Sequence, residues 1–208
     1  MSVVQVNQIK NQLHKLFDGL IDLSDLQNKS ADEVEQHFLT RSLGAYAVAT
    51  ISGTQPAVAA AHVTDGFKDN GLDVVYFDDA EKRLYLVQSK WVTGANKAPE
   101  LGDVLKFVAG ARDLVSGDLS TFNAKTQALS ANIQRALADT DLRIVLVVIY
   151  TSIQPLSGPA MKALSGFQDE MNEVSDLVEV STFSLKKVYQ ALTTAAEGDP
   201  IFLDVMIG

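Results

Sequence analysis

Residues 143–150 read RIVLVVIY, seven apolar side chains in succession after an arginine. A strand points successive side chains to opposite faces, so an unbroken apolar run has to be covered on both. From about residue 140 strands and helices alternate, with helices over 159–173 and 184–196 and strands over 177–183 and 201–207. That alternation predicts an α/β fold, a mixed β-sheet flanked by helices on both faces. Upstream, Val6, Ile9, Leu13, Leu16, Phe17, Leu20 and Ile21 recur at helical spacing over 5–22. Ser30-Ala-Asp-Glu33 is the pattern of a capping box opening a second helix, with Val34 and Phe38 on its inner face. AVAAAHV (57–63) suits a short strand or an apolar loop, and two more helices are expected over 100–115 and 123–138. The whole is expected to be one domain over 1–208, with an N-terminal helical appendage (1–29), a core (30–160) and a C-terminal α/β extension (161–208). A last segment that reads as strand suggests one domain of a longer polypeptide.

Composition removes several chemistries. Cysteine is absent, which excludes disulfides, thiolate nucleophiles and cysteine zinc sites. The histidines, His14, His37 and His62, are far apart and lack the spacing of a zinc hydrolase. A net charge of −9 argues against holding nucleic acid by bulk positive charge. It leaves room for a site whose metal ion attracts phosphate. No apolar run reaches membrane-spanning length and the first residues lack signal-peptide character, so a cytoplasmic location without a membrane partner is expected.

The most informative stretch is GLDVVYFDDAEKRLYLVQSKW (71–91), two strand-like runs around a charged turn. Taking 79–82 as a four-residue loop pairs Asp78 with Arg83, Phe77 with Leu84 and Val75 with Leu86. The same register sets Asp73 opposite Gln88, where facing Cβ atoms are about 4.5–5.5 Å apart. Alternation puts Lys90 on the face of Gln88. An acid, an amide and a lysine thus converge at one end of an apolar hairpin. Asp73 offers a carboxylate, Gln88 a carbonyl oxygen and Ser89 its backbone carbonyl to a hard cation such as Mg²⁺ or Mn²⁺. Such an ion lowers the pKa of a bound water, and Lys90 can orient that water or stabilise developing charge. A neutral Gln88 calls for another carboxylate. Glu35 on the second helix is the first choice, Glu33 competes but serves the capping box, and Asp65 and Asp69 are further candidates.

On these residues the chain resembles the PD-(D/E)xK nucleases in their QxK, Mrr-like form, and more closely the N-terminal region of AIPR (abortive infection phage resistance) proteins. VEQHFLTRSL (34–43), VTDGFKDNGLDVVYFDDAEKRLYLVQSKWV (63–92) and RIVLVVIYTSIQPLS (143–157) carry the likeness. The resemblance implies a restriction-endonuclease-like core and Mg²⁺-dependent cleavage of phosphodiesters, in DNA more than RNA, in defence against phage. It implies metal-binding roles for Asp73, Gln88 and Glu35 and a catalytic role for Lys90. The first strand is poorly marked, no proline precedes Asp73, and AIPR proteins are generally longer. The alternative is an inactive nuclease-fold module that binds nucleic acid or a partner protein.

Lys68, Lys97, Lys106 and Arg112 are candidates for a phosphate groove, and Trp91 for stacking on a base or packing under a helix. Asp78, Asp79 and Glu81 suit a solvated turn, and His62 a structural hydrogen bond. Glu100 and Asp103 suit the start of a helix, where acids are favoured. A two-fold dimer would suit a duplex cutter.

Overall fold

The run at 143–150 is the third of four strands among the described residues and is covered on both faces. A computed structural model describes residues 2–197; the strand expected over 201–207 lies outside the described residues. The strands are β1 (Val74–Asp78), β2 (Arg83–Lys90), β3 (Arg143–Tyr150) and β4 (Val178–Phe183), in spatial order β1-β2-β3-β4. β1 and β2 are antiparallel, while β2–β3 and β3–β4 are parallel, so the sheet is mixed. An isolated antiparallel bridge joins Val63 to Val74 beyond the β1 edge.

Side-chain alternation divides the core in two. Val145, Val147 and Ile149 enter one cluster with Val74, Tyr85 and Val87. Ile144, Leu146, Val148 and Tyr150 enter the other with Val75, Leu84 and Leu86. Each fully buried Val, Leu or Ile contributes about 1.5–3 kcal/mol relative to exposure, which is why β3 is held centrally rather than at an edge.

The first cluster is roofed by α1 (Ser2–Phe17) and α2 (Ala31–Ser52). α1 buries Val6, Ile9, Leu13 and Phe17, one apolar stripe, in the same cluster as the sheet; it is part of the core rather than an appendage. α2 opens on the Ser30–Glu33 capping box and ends at Gly53, whose φ of 71° needs the left-handed backbone glycine tolerates. AVAAAHV is neither strand nor plain loop: Pro56 at the first turn starts a five-residue helix, α3 (Pro56–Ala60).

The second face carries α4 (Leu101–Val115), α5 (Ala124–Ala128), α6 (Ser130–Leu137) and α7 (Gly158–Met171), and α8 (Leu185–Glu197) returns to the first. The single helix expected over 123–138 is broken at Leu129, whose φ of −88° and ψ of 4° leave helical backbone. Leu129 is partly buried against the second cluster, so packing overrides the helical periodicity there.

Two glycines set how closely the helices approach the sheet end. A Cβ on Gly44 of α2 would stand 2.8 Å from Val74 Cγ2 and 3.3 Å from Ser89 Oγ. A Cβ on Gly110 of α4 would stand 2.1 Å from the backbone oxygen of Asn70. The second clash is with main chain and cannot be relieved by a rotamer change. Gly110→Ala is therefore expected to destabilise by about 1–3 kcal/mol or more, as overpacking does. Gly102→Ala on the same helix, with nothing within 4 Å of the new Cβ, should be neutral or stabilising. Urea unfolding of both variants checks this; equal stabilities would contradict the close approach.

Candidate functional site

A cleft of about 310 Å³ opens where β2 ends, between α2, α4 and the loop that leads into β1. The ends of parallel strands are where open α/β sheets leave room for ligands. The hairpin register is the one the turn length implies: Asp78 faces Arg83, Phe77 faces Leu84 and Val75 faces Leu86. Asp73 immediately precedes β1. Its N–H donates to Val87 O (2.8 Å), and its carbonyl accepts from Thr64 N (2.8 Å) and Asp65 N (3.1 Å).

The Asp73 side chain takes the next place along β2. Oδ2 accepts from Ser89 N at 2.6 Å and from Ser89 Oγ at 3.0 Å. Oδ1 accepts from no donor among the described residues. The residue is only 7% exposed. Burial pushes its carboxyl well above the ordinary aspartate range, and the negative charges of Asp65 and Asp69 push the same way, against the two bonds from Ser89.

Asp65, Asp69 and Asp73 each bring a carboxylate oxygen within 4.8 Å of the others. This is the one such group of acidic or histidine ligands among the described residues, and it can in principle hold a divalent cation. Asp65 Oδ2 accepts from Arg41 Nε at 2.7 Å. Arg41 is fully buried (0% exposed) and also forks onto Asp25 at 2.8 and 2.7 Å. Burial opposes its charge, but the bonds to Asp25 and Asp65 outweigh that and hold it protonated. The same fork lowers the Asp25 carboxyl to about 2. Asp69 Oδ1 accepts from Gly71 N and Lys106 Nζ, both at 2.7 Å.

Gln88 and Lys90 point from β2 toward α4, and one residue holds both. Gln88 Nε2 donates to the backbone oxygen of Asp103 at 2.9 Å, and Lys90 Nζ to Asp103 Oδ2 at 3.1 Å. The acceptor fixes the amide, because turning it over would set two oxygens against each other. Gln88 Oε1 is then left buried without a donor. An unsatisfied buried oxygen is disfavoured unless something electropositive reaches it. Asp103 looks in sequence like a plain helix-start acid. It does cap α4 with Glu100, and its second task becomes visible only when α4 is laid across the strand end.

The other sequence candidates are placed as follows. Glu35 does not line the cleft: it faces α1, paired with Lys10 (2.7 Å) and His14 (3.0 Å), and the α2 residues that line the cleft are Gln36, His37 and Thr40. Glu33 is held in the capping box. Ser89 serves Asp73 through its N–H and hydroxyl, and lies in register with Ile149. Trp91 borders the cleft but is 4% exposed and packs in the first core cluster, so its ring is not presented for stacking. Lys97 and Lys68 are exposed and outside the cleft lining, Lys106 lines it, and Arg112 is turned away onto Glu170 of α7. His62 bonds Val58 O at 2.8 Å.

The raised Asp73 carboxyl has a testable sign. A group whose folded pKa is raised contributes stability that is present below its unfolded value and lost as pH climbs through the folded one. Without metal, the wild type should lose stability relative to Asp73→Asn as pH rises above about 4, the ordinary aspartate value. Thermal melts of both proteins in chelator across that range measure it. Parallel curves would contradict the buried, charge-crowded carboxyl.

No protein-family model matches this chain, no curated protein matches it and no solved structure matches it.

Proposed function

We propose that this chain is a divalent-metal-dependent nuclease that hydrolyses phosphodiesters of nucleic acid at the Asp73–Gln88–Lys90 cleft. The observation that carries the proposal is the pair of oxygens with no protein donor, Asp73 Oδ1 and the buried Gln88 Oε1, on adjacent strand ends beside the Asp65–Asp69 acids. Carboxylate and amide oxygens are the hard donors that Mg²⁺ and Mn²⁺ take, and no soft ligand is present. The fold supports it only coarsely: a mixed sheet with helices on both faces is the kind of core the resemblance implies.

Asp73 and Gln88 would hold the cation, and Asp69 or Asp65 would supply the further carboxylate for which Glu35 is out of place. A cation so held would supply Lewis-acid polarisation of a phosphate oxygen and a more acidic bound water. Lys90, at the strand end with its side chain about half exposed and its ammonium on Asp103, would meet a phosphate oxygen or orient the attacking water by exchanging that partner. Asp103 keeps that ammonium over the cleft, and its carbonyl, by accepting from Nε2, leaves the buried Gln88 Oε1 without a protein donor. A role in phage defence follows only from the resemblance to AIPR proteins.

A second reading is a module that binds nucleic acid or a protein without turnover. It is favoured by Lys90 and Lys106 both being paired with carboxylates, which leaves little free positive charge at the cleft. Incubation with plasmid, single-stranded DNA and RNA, in Mg²⁺, Mn²⁺ or chelator, separates the two. The nuclease reading expects metal-dependent cleavage that Lys90→Ala and Asp73→Ala each lower by about 100-fold or more, with folding retained by circular dichroism. Cleavage unaltered in either variant would overturn the site.

A further inference from the structure

Between Asp65 and Asp69, both cleft-lining, stands Phe67, which is 87% exposed. Two residues of chain span at most about 7 Å, so its backbone lies at the cleft wall. No other large apolar side chain lies in the loop 64–71.

The loop that carries Phe67 is braced. Lys68 and Asn70 hold left-handed φ values of 61° and 54°, which persist only where surroundings impose them. The surroundings are plain. Asp69 N donates to Gly66 O and Leu72 N to Asp69 O. The Asp69 carboxylate accepts from Gly66 N and Gly71 N. Asn123 N donates to Lys68 O, and Asn123 Nδ2 to Thr64 O. Phe67 is therefore held out in water by a fixed backbone.

We propose that Phe67, with Lys68, is a stacking platform for an unpaired nucleobase, so that the strand entering the cleft is single-stranded nucleic acid. The inference rests on the nuclease reading and adds the substrate class to it. Lys68 Nζ lies 5.9 Å from the Phe67 ring centroid and has no carboxylate partner among the described residues. One tip thus offers an aromatic face for a base and an ammonium for its phosphate, the combination single-strand binders use. Duplex bases are stacked on one another and present no free face, so the ring selects an unpaired strand. A protein partner would ask for a contiguous apolar patch with a depleted charge, whereas this ring is the one large apolar side chain of its loop and is flanked by a lysine.

The test uses the intact chain with Ca²⁺ in place of Mg²⁺, and fluorescein-labelled single-stranded oligodeoxythymidine beside a labelled DNA hairpin duplex. Anisotropy titration should show tighter binding of the single strand. Phe67→Ala should weaken that binding about 5- to 150-fold, the loss of one base stack. Phe67→Leu should lose as much, because it restores apolarity without a ring face. Phe67→Trp should keep affinity, with its emission quenched on binding. Unchanged affinity in Phe67→Ala, while metal-dependent cleavage still needs Lys90, would overturn the stacking inference and leave the nuclease standing. Equal loss of duplex and single-strand binding would overturn the choice of single strand. Wild-type protein that binds neither oligonucleotide and cleaves nothing would overturn both.

Discussion

Carboxylates outnumber cations around the start of β1, and the site depends on that imbalance. Asp25 and Asp65 share the buried Arg41, Asp69 has Lys106, and Asp73 has only the hydrogen bonds from Ser89. Negative charge is left over when all of these acids are ionised, even with Lys125 close to Asp65. Burying uncompensated charge is costly, and a protein answers it by protonation or by a bound cation. The upward shift of Asp73 is the first answer. A divalent ion bound among Asp65, Asp69 and Asp73 would be the second.

The fold supplies the close approach that keeps those groups together. β3 must be sandwiched because every one of its faces is apolar, and that leaves the strand ends as the open ground of the sheet. Gly44 lets α2 settle on Val74 and Ser89, and Gly110 lets α4 settle on Asn70. α4 then delivers Lys106 to Asp69 and Asp103 to Gln88 and Lys90. Packing and chemistry are thus coupled: the same helix that closes the second core cluster fixes the amide and the ammonium of the motif.

Much of this was legible in the residues. The hairpin register could be read because a four-residue turn and period-two alternation leave little freedom, and it brought Asp73, Gln88 and Lys90 to one end. Glu35 was harder. α2 is buried almost all round from Arg41 to Val48, so its sequence does not say which flank faces the sheet. Lys10 and His14, one helical turn apart on α1, were the signal that a carboxylate would be drawn there. Asp103 and Arg41 answer to partners far away in sequence, and nothing local to either residue shows them. Trp91 follows Lys90 and so falls on the opposite face of the strand end, in the core.

Everything proposed for the cleft turns on Asp73 and Gln88 holding a cation together. The most direct test is Mn²⁺ binding, followed by electron paramagnetic resonance of the free ion, to wild type, Asp73→Asn, Gln88→Leu and Glu35→Gln. Saturable binding is expected in wild type and Glu35→Gln, lost in Asp73→Asn and weakened about tenfold or more in Gln88→Leu. Binding that is absent in the wild type, or that survives unchanged in Asp73→Asn and Gln88→Leu, would contradict it.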